Sequence, residues 1–272
     1  IIIVEADEYD RSFLALKPTI AIITNIELEH TDCYKDIKEL KDAFIQFAKS
    51  IPFYGQLFIC IDSPILDEIS KDIERPIVTY GFSDDAQYQA KNLSFNKNKS
   101  TYDVFYNSKR LDKFSINLPG EHNILNSLVS LALCNEMKVP FKKIKEGLTN
   151  YKGVRRRFEI KGTFNDITVV DDYAHHPTEV TATLKAAKKG WQKRIVVAFQ
   201  PHLYTRTLQF HKEFANSLLI ADIIIITDIY PAREEPIVGV SANGLNVSGE
   251  NASIVLASIG SEFTTGRGRL YF

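Results

Sequence analysis

The chain has 272 residues, of which 33 are basic and 34 acidic, for a formal charge of −1 at pH 7. That length exceeds a typical single core and calls for one large or two medium domains. The balanced charge, without a basic stripe or basic amphipathic helix, speaks against a nucleic-acid or membrane-surface partner, and the apolar runs are strand-sized, too short to span a bilayer. Cys33, Cys60 and Cys134 are isolated and lack CxxC spacing, which fits a reducing, cytoplasmic setting better than a disulfide scaffold or a zinc site.

The chain opens on Ile1-Ile2-Ile3-Val4 without a signal peptide or initiator methionine. This run, to Glu5, reads as a strand already inside a core, and hence as a truncated N-terminus, or else as a short edge strand left after processing. It is followed by ADEYD at 6–10. Residues 19–25 (TIAIITN) read as a second strand, ending in IELEHTD at 26–32. Apolar residues at 37, 40, 44, 47, 48 and 51 form a helical stripe. Strands are expected at 55–61 and 77–82, with a short helix at 64–70 between them. Residues 87–118 alternate in short polar-rich runs and predict two or three antiparallel strands at a sheet edge, with a turn at 96–99. Pro119-Gly120 precedes a helix to about Met137, and a further short helix covers 141–149. The basic, Gly-containing segment 151–158 (YKGVRRRF) marks the domain boundary.

Three βα-like units follow. Residues 167–177 (ITVVDDYAHHP) read as a buried parallel strand running into a polar cluster, with Pro177 at the first turn of a helix where a missing N–H costs nothing. Strand 194–199, polar loop 200–207 and helix 208–219 repeat the shape, and strand 222–229 ends in YPAREEP at 230–236. Three successive strands thus deliver polar residues at their carboxyl ends, where open α/β sheets bind ligands. From about 246 to 272 no helical or strand period is sustained, although a doubly wound pattern demands one more strand and helix there.

Four constellations stand out. Glu5 and His30, a carboxylate and an imidazole at adjacent strand ends, suit a divalent cation, or are simply residues of solvated loops. His122, Asn123 and Asn126 lie on the first turns of a helix, where Asn amides can read a purine edge or merely cap the helix. Arg155-Arg156-Arg157 suits phosphate, or is a solvated basic linker. Asp171, Asp172, Tyr173, His175 and His176, with His202 and Arg206 from the next loop, form the densest cluster, and helix capping alone needs no such crowd.

EADEYD at 5–10, TNIELEH at 24–30, PGEHNILN at 119–126, RRRF at 155–158, DDYAHHPTEV at 171–180 and QPHLYTRT at 200–207 occur in this order. Together they resemble the Mur ligases of peptidoglycan synthesis, over residues 1 to about 245. The resemblance implies an α/β protein: the second half of a central ATPase-type domain at 1–152, then a Rossmann-like C-terminal domain at 153–272 that is atypical from about 246. The family's P-loop lies upstream of its EADE motif, and no G-x-x-x-x-G-K-[ST] occurs in these residues, so the resemblance implies a fragment that is inactive as given.

By the same resemblance Glu5 and His30 would hold Mg²⁺. His122, Asn123 and Asn126 would contact the adenine of ATP, Arg156 or Arg157 a phosphate, and Asp172 the ribose. Tyr173, His175, His202 and Arg206 would face the sugar carboxylate and the incoming amino acid, and position 203 is Leu where some relatives carry Arg. The implied parent reaction joins L-alanine to the lactyl carboxylate of UDP-N-acetylmuramate through an acyl phosphate. The alternatives are the family's tripeptide-recycling reaction on the same sugar nucleotide, and a non-catalytic remnant that binds nucleotide or a partner.

Overall fold

The structure is a computed structural model that describes residues 1–28, 33–245, 253–257 and 270–271. It divides into two compact units, the first made of Ile1–Ser94, Thr101–Ser115 and Asn123–Thr149, the second of Phe95–Ser100, Ile116–His122 and Asn150–Phe272.

The first unit is organised on a six-stranded sheet with the order β1 (Ile20–Ile23), β2 (Gln56–Cys60), β3 (Ile77–Gly81), β4 (Tyr88–Asn96), β5 (Lys99–Tyr106), β6 (Lys109–Ile116). The pairs β1–β2, β2–β3 and β3–β4 are parallel. Helix α1 (Ile37–Lys49) starts where the Asp36 side chain accepts the Glu39 N–H, and buries Leu40, Ala43, Phe47 and Ala48. Its Phe44 and Phe47 each lie 5.1 Å from the ring of Phe13, which belongs to a 3-10 turn at Tyr9–Ala15. Helix α2 (Pro64–Ser70) follows β2. The expected edge region 87–118 contains three strands, and the turn between β5 and β6 places Asn107 and Ser108 at φ 45° and 64°, the pair of positive φ values that two-residue hairpins favour. Helix α3 (Glu121–Glu136) packs through Ile124, Leu128, Leu131 and Ala132, and its Ser127 Oγ lies 2.6 Å from the hydroxyl of Tyr102 on β5. Helix α4 (Phe141–Asn150) completes the unit.

The strand expected at residues 1–5 is not formed. Residues 1–8 carry no regular secondary structure, and Ile1, Ile2 and Ile3 are 100%, 89% and 90% exposed. A strand exists only through a paired neighbour, and among the described residues β1 has a partner, β2, on one side only. The two edges of this sheet differ: β6 carries Lys109, Arg110, Asp112 and Lys113, whereas β1 reads Ile-Ala-Ile-Ile and has none of the charges that discourage edge pairing.

The second unit carries a six-stranded sheet with the order β11 (Ser253–Ala257), β10 (Ile223–Thr227), β9 (Val196–Phe199), β12 (Leu270–Tyr271), β8 (Ile167–Asp172), β7 (Glu159–Phe164). Strands β9, β10 and β11 are mutually parallel. Strand β8 corrects the expectation of a parallel strand covered on both faces: it is antiparallel to both β7 and β12, and Ile167 is 64% exposed. The cause is a hairpin at Asn165-Asp166, with φ values of 47° and 64°, which returns β7 directly into β8. The stretch beyond 246, where no period is legible, contributes β11 and β12.

Helix α5 (Pro177–Gly190) buries Val180, Leu184, Ala186 and Ala187, and each fully buried Val or Leu contributes roughly 1.5–3 kcal/mol. These side chains join Val197, Phe199, Phe214, Leu218, Ile224 and Ile226 in one core. The single helix expected at 208–219 is two, α6 (Tyr204–Gln209) and α7 (His211–Leu218), because Phe210 leaves helical geometry at φ −112°, ψ 22°. Its ring meets His176 edge-on at 4.9 Å. Among the described residues no helix is long and apolar enough to cross a membrane.

Candidate active site

The densest polar cluster lies in the second unit, at the carboxyl ends of β8, β9 and β10. It begins with Asp172, which is 4% exposed. One carboxylate oxygen accepts the Ala174 N–H at 2.8 Å; the other accepts the Phe158 N–H at 2.8 Å and the Thr183 hydroxyl at 3.3 Å. Burial pushes its pKa up, against the pull of the two backbone N–H groups. Asp172 therefore braces the 155–158 segment against the loop after β8. Both oxygens are engaged inside the chain, Oδ1 by one donor and Oδ2 by two.

The brace sets two guanidiniums over one ring. The Tyr173 N–H donates to the Arg156 carbonyl at 2.8 Å, and the guanidiniums of Arg156 and Arg157 lie 4.7 and 5.7 Å from the centre of the Tyr173 ring, within cation–π range. Arg156 Nε and Nη2 are buried and hydrogen-bond to nothing among the described residues. Buried donors of this kind fit an anionic oxygen, the ordinary partner of a guanidinium. A cleft of about 370 Å³ opens beside this segment, lined by Asn117, Leu118, Lys152, Gly153, Arg155 and Arg157.

His175 also packs against Tyr173, with ring centres 4.9 Å apart. Its Nδ1 is 2.9 Å from the Tyr173 carbonyl; a carbonyl only accepts, so the proton sits on Nδ1. His202 follows at 6.3 Å from His175, ring to ring, and stacks on Tyr230 at 5.6 Å and 23°. Arg206 Nη1 reaches His202 Nδ1 at 3.4 Å. The loops after β9 and β10 are zipped together: Leu203 N–H donates to the Tyr230 carbonyl at 3.0 Å, and Tyr230 N–H to the Pro201 carbonyl at 2.8 Å. Leu203 holds φ 69°, a conformation that costs a non-glycine residue of order 1 kcal/mol or more and clusters at functional sites. Glu234 anchors the start of α6 by accepting from the Thr205 N–H and hydroxyl.

Of the residues singled out from sequence, the structure thus brings together Arg156, Arg157, Asp172, Tyr173, His175, His202 and Arg206. His122 also belongs to the second unit. Burial, reinforced by the charge of Arg157, pushes its pKa down and keeps its imidazole neutral. Gly120 sits against it at φ 95°, and a Cβ there would fall 2.7 Å from His122 Cε1 and 2.9 Å from Ala186 Cβ. Gly120→Ala is expected to cost about 2–3 kcal/mol, from the positive φ and the overlap together; thermal melting of the two proteins checks it. Asn123 and Asn126 belong to the first unit, on the opening turns of α3, where Asn123 is half-buried and Asn126 exposed.

Glu5 is solvent-exposed in the irregular N-terminal segment, and His30 lies outside the described residues. Among the described residues no three His, Cys, Asp or Glu side chains gather as a metal site. With His30 outside those residues, the pairing of Glu5 with His30 rests on the resemblance alone.

Three participants escaped the sequence reading. Glu179 was visible as a glutamate three positions after the helix N-cap, the spacing of a capping box. Tyr230 and Glu234 lie in the polar end of β10, a stretch whose composition names no role.

Two α/β units, with imidazoles and guanidiniums gathered at strand carboxyl ends, are of the class whose sheet edges bind ligands, here with donors suited to anionic groups. The Mur ligase middle domain matches residues 1–134, and the Mur ligase glutamate ligase domain matches residues 156–256. The chain belongs to the Mur ligase family. It is 48% identical over 244 residues to a UDP-N-acetylmuramate–L-alanine ligase of Syntrophus aciditrophicus, covering 90% of this chain and 51% of that protein. A solved UDP-N-acetylmuramate–alanine ligase of Thermotoga maritima superposes with a TM-score of 0.72 at 25% identity, over 91% of this chain and 53% of that one. A murein peptide ligase of Psychrobacter arcticus superposes with a TM-score of 0.57 at 25% identity, over 91% and 51%. The chain spans about half the length of the curated relatives it matches.

Proposed function

We propose that this chain is the ATP- and amino-acid-handling part of a cytoplasmic ligase that joins L-alanine to the lactyl carboxylate of UDP-N-acetylmuramate. The observation that carries the reading is the gathering of Arg156, Arg157, Tyr173, His175, His202 and Arg206 in one cluster, in a chain 48% identical to a ligase of that name. Residues 1–152 are read as the second half of the ATPase domain and 153–272 as the Rossmann-like domain, atypical from about 246.

The chemistry asks for cationic groups where negative charge develops. A carboxylate activated by ATP as an acyl phosphate is attacked by the amine of L-alanine, and the tetrahedral intermediate expels phosphate. Arg156 and Arg157 meet phosphate oxygens, and the unengaged buried Nε and Nη2 of Arg156 support that role. Arg206 and His202 supply positive or donor character near the carboxylates, the preorganised electrostatics that carries most of such catalysis. His175, protonated on Nδ1, presents Nε2 as the nitrogen able to take a proton from the incoming ammonium. His122, Asn123 and Asn126 contact adenine. By the family resemblance alone, Glu5 and His30 hold Mg²⁺.

The tripeptide-recycling reading keeps one specific support, the likeness to a murein peptide ligase. The test joins this chain to the missing half of its relatives' length and follows phosphate release. Release that depends on L-alanine is expected; equal or faster release with the tripeptide would transfer the assignment to the recycling reaction.

A further inference from the structure

Glu179 sits at the third position of α5 and touches three segments of the second unit at once. Its Oε1 accepts from Arg157 Nη1 at 2.9 Å. Its Oε2 accepts the backbone N–H of His175 at 2.9 Å and that of His176 at 3.3 Å. The same oxygen lies 3.3 Å from His175 Nδ1. One carboxylate thus ties the basic segment before β7, the loop after β8 and the first turn of α5.

We propose that Glu179 is a positioning residue: its carboxylate holds the Arg157 guanidinium and the His175 imidazole in fixed register against Tyr173, without itself meeting substrate. The inference deepens the ligase reading and rests on it for its functional consequence, but the clamp itself is a property of the folded chain.

Several observations carry it beyond an ordinary helix cap. A cap needs only the two backbone N–H groups, whereas here the second oxygen is committed to a cation 22 residues away in sequence. That cation also lies over the Tyr173 ring, against which His175 packs as well, so the three side chains form a closed ring of contacts through Glu179. Among the described residues, the charged and titratable groups around His175 include Glu179 from α5, Tyr173 and His176 from its own loop, Arg157 from the preceding segment, and His202 with Arg206 behind it from the loop after β9. Glu179 places a carboxylate oxygen 3.3 Å from Nδ1 of that imidazole. Burial pushes the Glu179 pKa up, yet His175, its backbone N–H and Arg157 outweigh burial and hold it below the ordinary glutamate value.

The experiment has two arms. In the first, the carboxyl carbon of Glu179 is titrated by NMR in the 272-residue chain, in wild type, Arg157→Gln and His175→Asn. The midpoint is expected below the ordinary glutamate value in wild type, and to move up in both variants. A midpoint that neither variant moves overturns the clamp. In the second arm, the protein completed with the missing half of its relatives' length carries Glu179→Gln. The expected result is a loss of about 10- to 100-fold in kcat/KM for L-alanine, the range seen when supporting contacts to active groups are removed, with Arg157→Lys recovering more activity than Arg157→Gln. An unchanged kcat/KM overturns the positioning role. Wild type without L-alanine-dependent turnover, beside a normal first arm, refutes the ligase reading and leaves the clamp standing. If Glu179→Gln does not fold, the two other variants decide the question.

Discussion

The 272-residue chain, given Mg·ATP, UDP-N-acetylmuramate and L-alanine, is expected to release no phosphate above background and to bind Mg·ATP no tighter than about 1 mM, roughly −4 kcal/mol. Phosphates in such enzymes are held by a glycine-rich loop's N–H groups, a lysine and a helix N-terminus, and no G-x-x-x-x-G-K-[ST] occurs in these residues. The adenine-facing residues proposed on α3 and the two arginines by Tyr173 would remain, but positioning a γ-phosphate for in-line attack needs more than one anchored end. The edge at β1 adds a second expectation. Ile22 is 40% exposed there, no charge breaks the strand, and such an edge invites pairing between copies. Calorimetric titration with Mg·ATP and sedimentation at rising concentration check both. Tight binding, or L-alanine-dependent turnover, would show that groups elsewhere hold the phosphates; a concentration-independent monomer would show that the edge is protected.

Asp172→Ala is expected to cost the second unit about 3 kcal/mol. Two backbone N–H groups, of Phe158 and Ala174, lose their acceptor inside the fold, and each orphaned buried donor costs about 1–3 kcal/mol. For a domain of this size that corresponds to a fall of roughly 6–12 °C in Tm. The pH dependence has a definite sign. Because burial raises the folded pKa of Asp172 above its unfolded value, the group's linkage contribution is complete below the ordinary aspartate range and is lost as pH rises through the raised folded value. The advantage of wild type over Asp172→Ala should therefore be larger at acid pH than at neutrality. Melting curves of both proteins across that interval check it. Equal gaps at both ends would mean that Asp172 titrates alike folded and unfolded.

The two units differ in how far the sequence discloses them. The stripe at 37, 40, 44, 47 and 48 announces α1, and the positive-φ turn between β5 and β6 falls on Asn107 and Ser108. The second sheet is opaque for physical reasons. Strand β7 slips register between Ile160 and Gly162, so its alternation breaks, although Asn-Asp between Phe164 and Ile167 was a readable hairpin signal. Strand β12 has two residues, too few for any period. At the candidate site, DDYAHHPTE and QPHLYTRT are the segments that the fold gathers into one polar cluster, because polar residues crowd the ends of apolar strands. What they could not disclose was direction. Asp172 reads like a ligand-facing acid and points inward, and Glu179 reads like a cap and reaches back to Arg157.

The backbone bonds joining Leu203 to Tyr230 and Tyr230 to Pro201 bear on how expensive recognition is. Two loops from different strands already share one rigid register, with His202 stacked on Tyr230 and Arg206 leaning on His202. Ordering a long polar side chain at the moment of binding costs about 0.5–1.5 kcal/mol each. Here that entropy is surrendered when the chain folds, so a small amino acid, with few atoms to contribute attraction, would meet a surface that has little freedom left to lose.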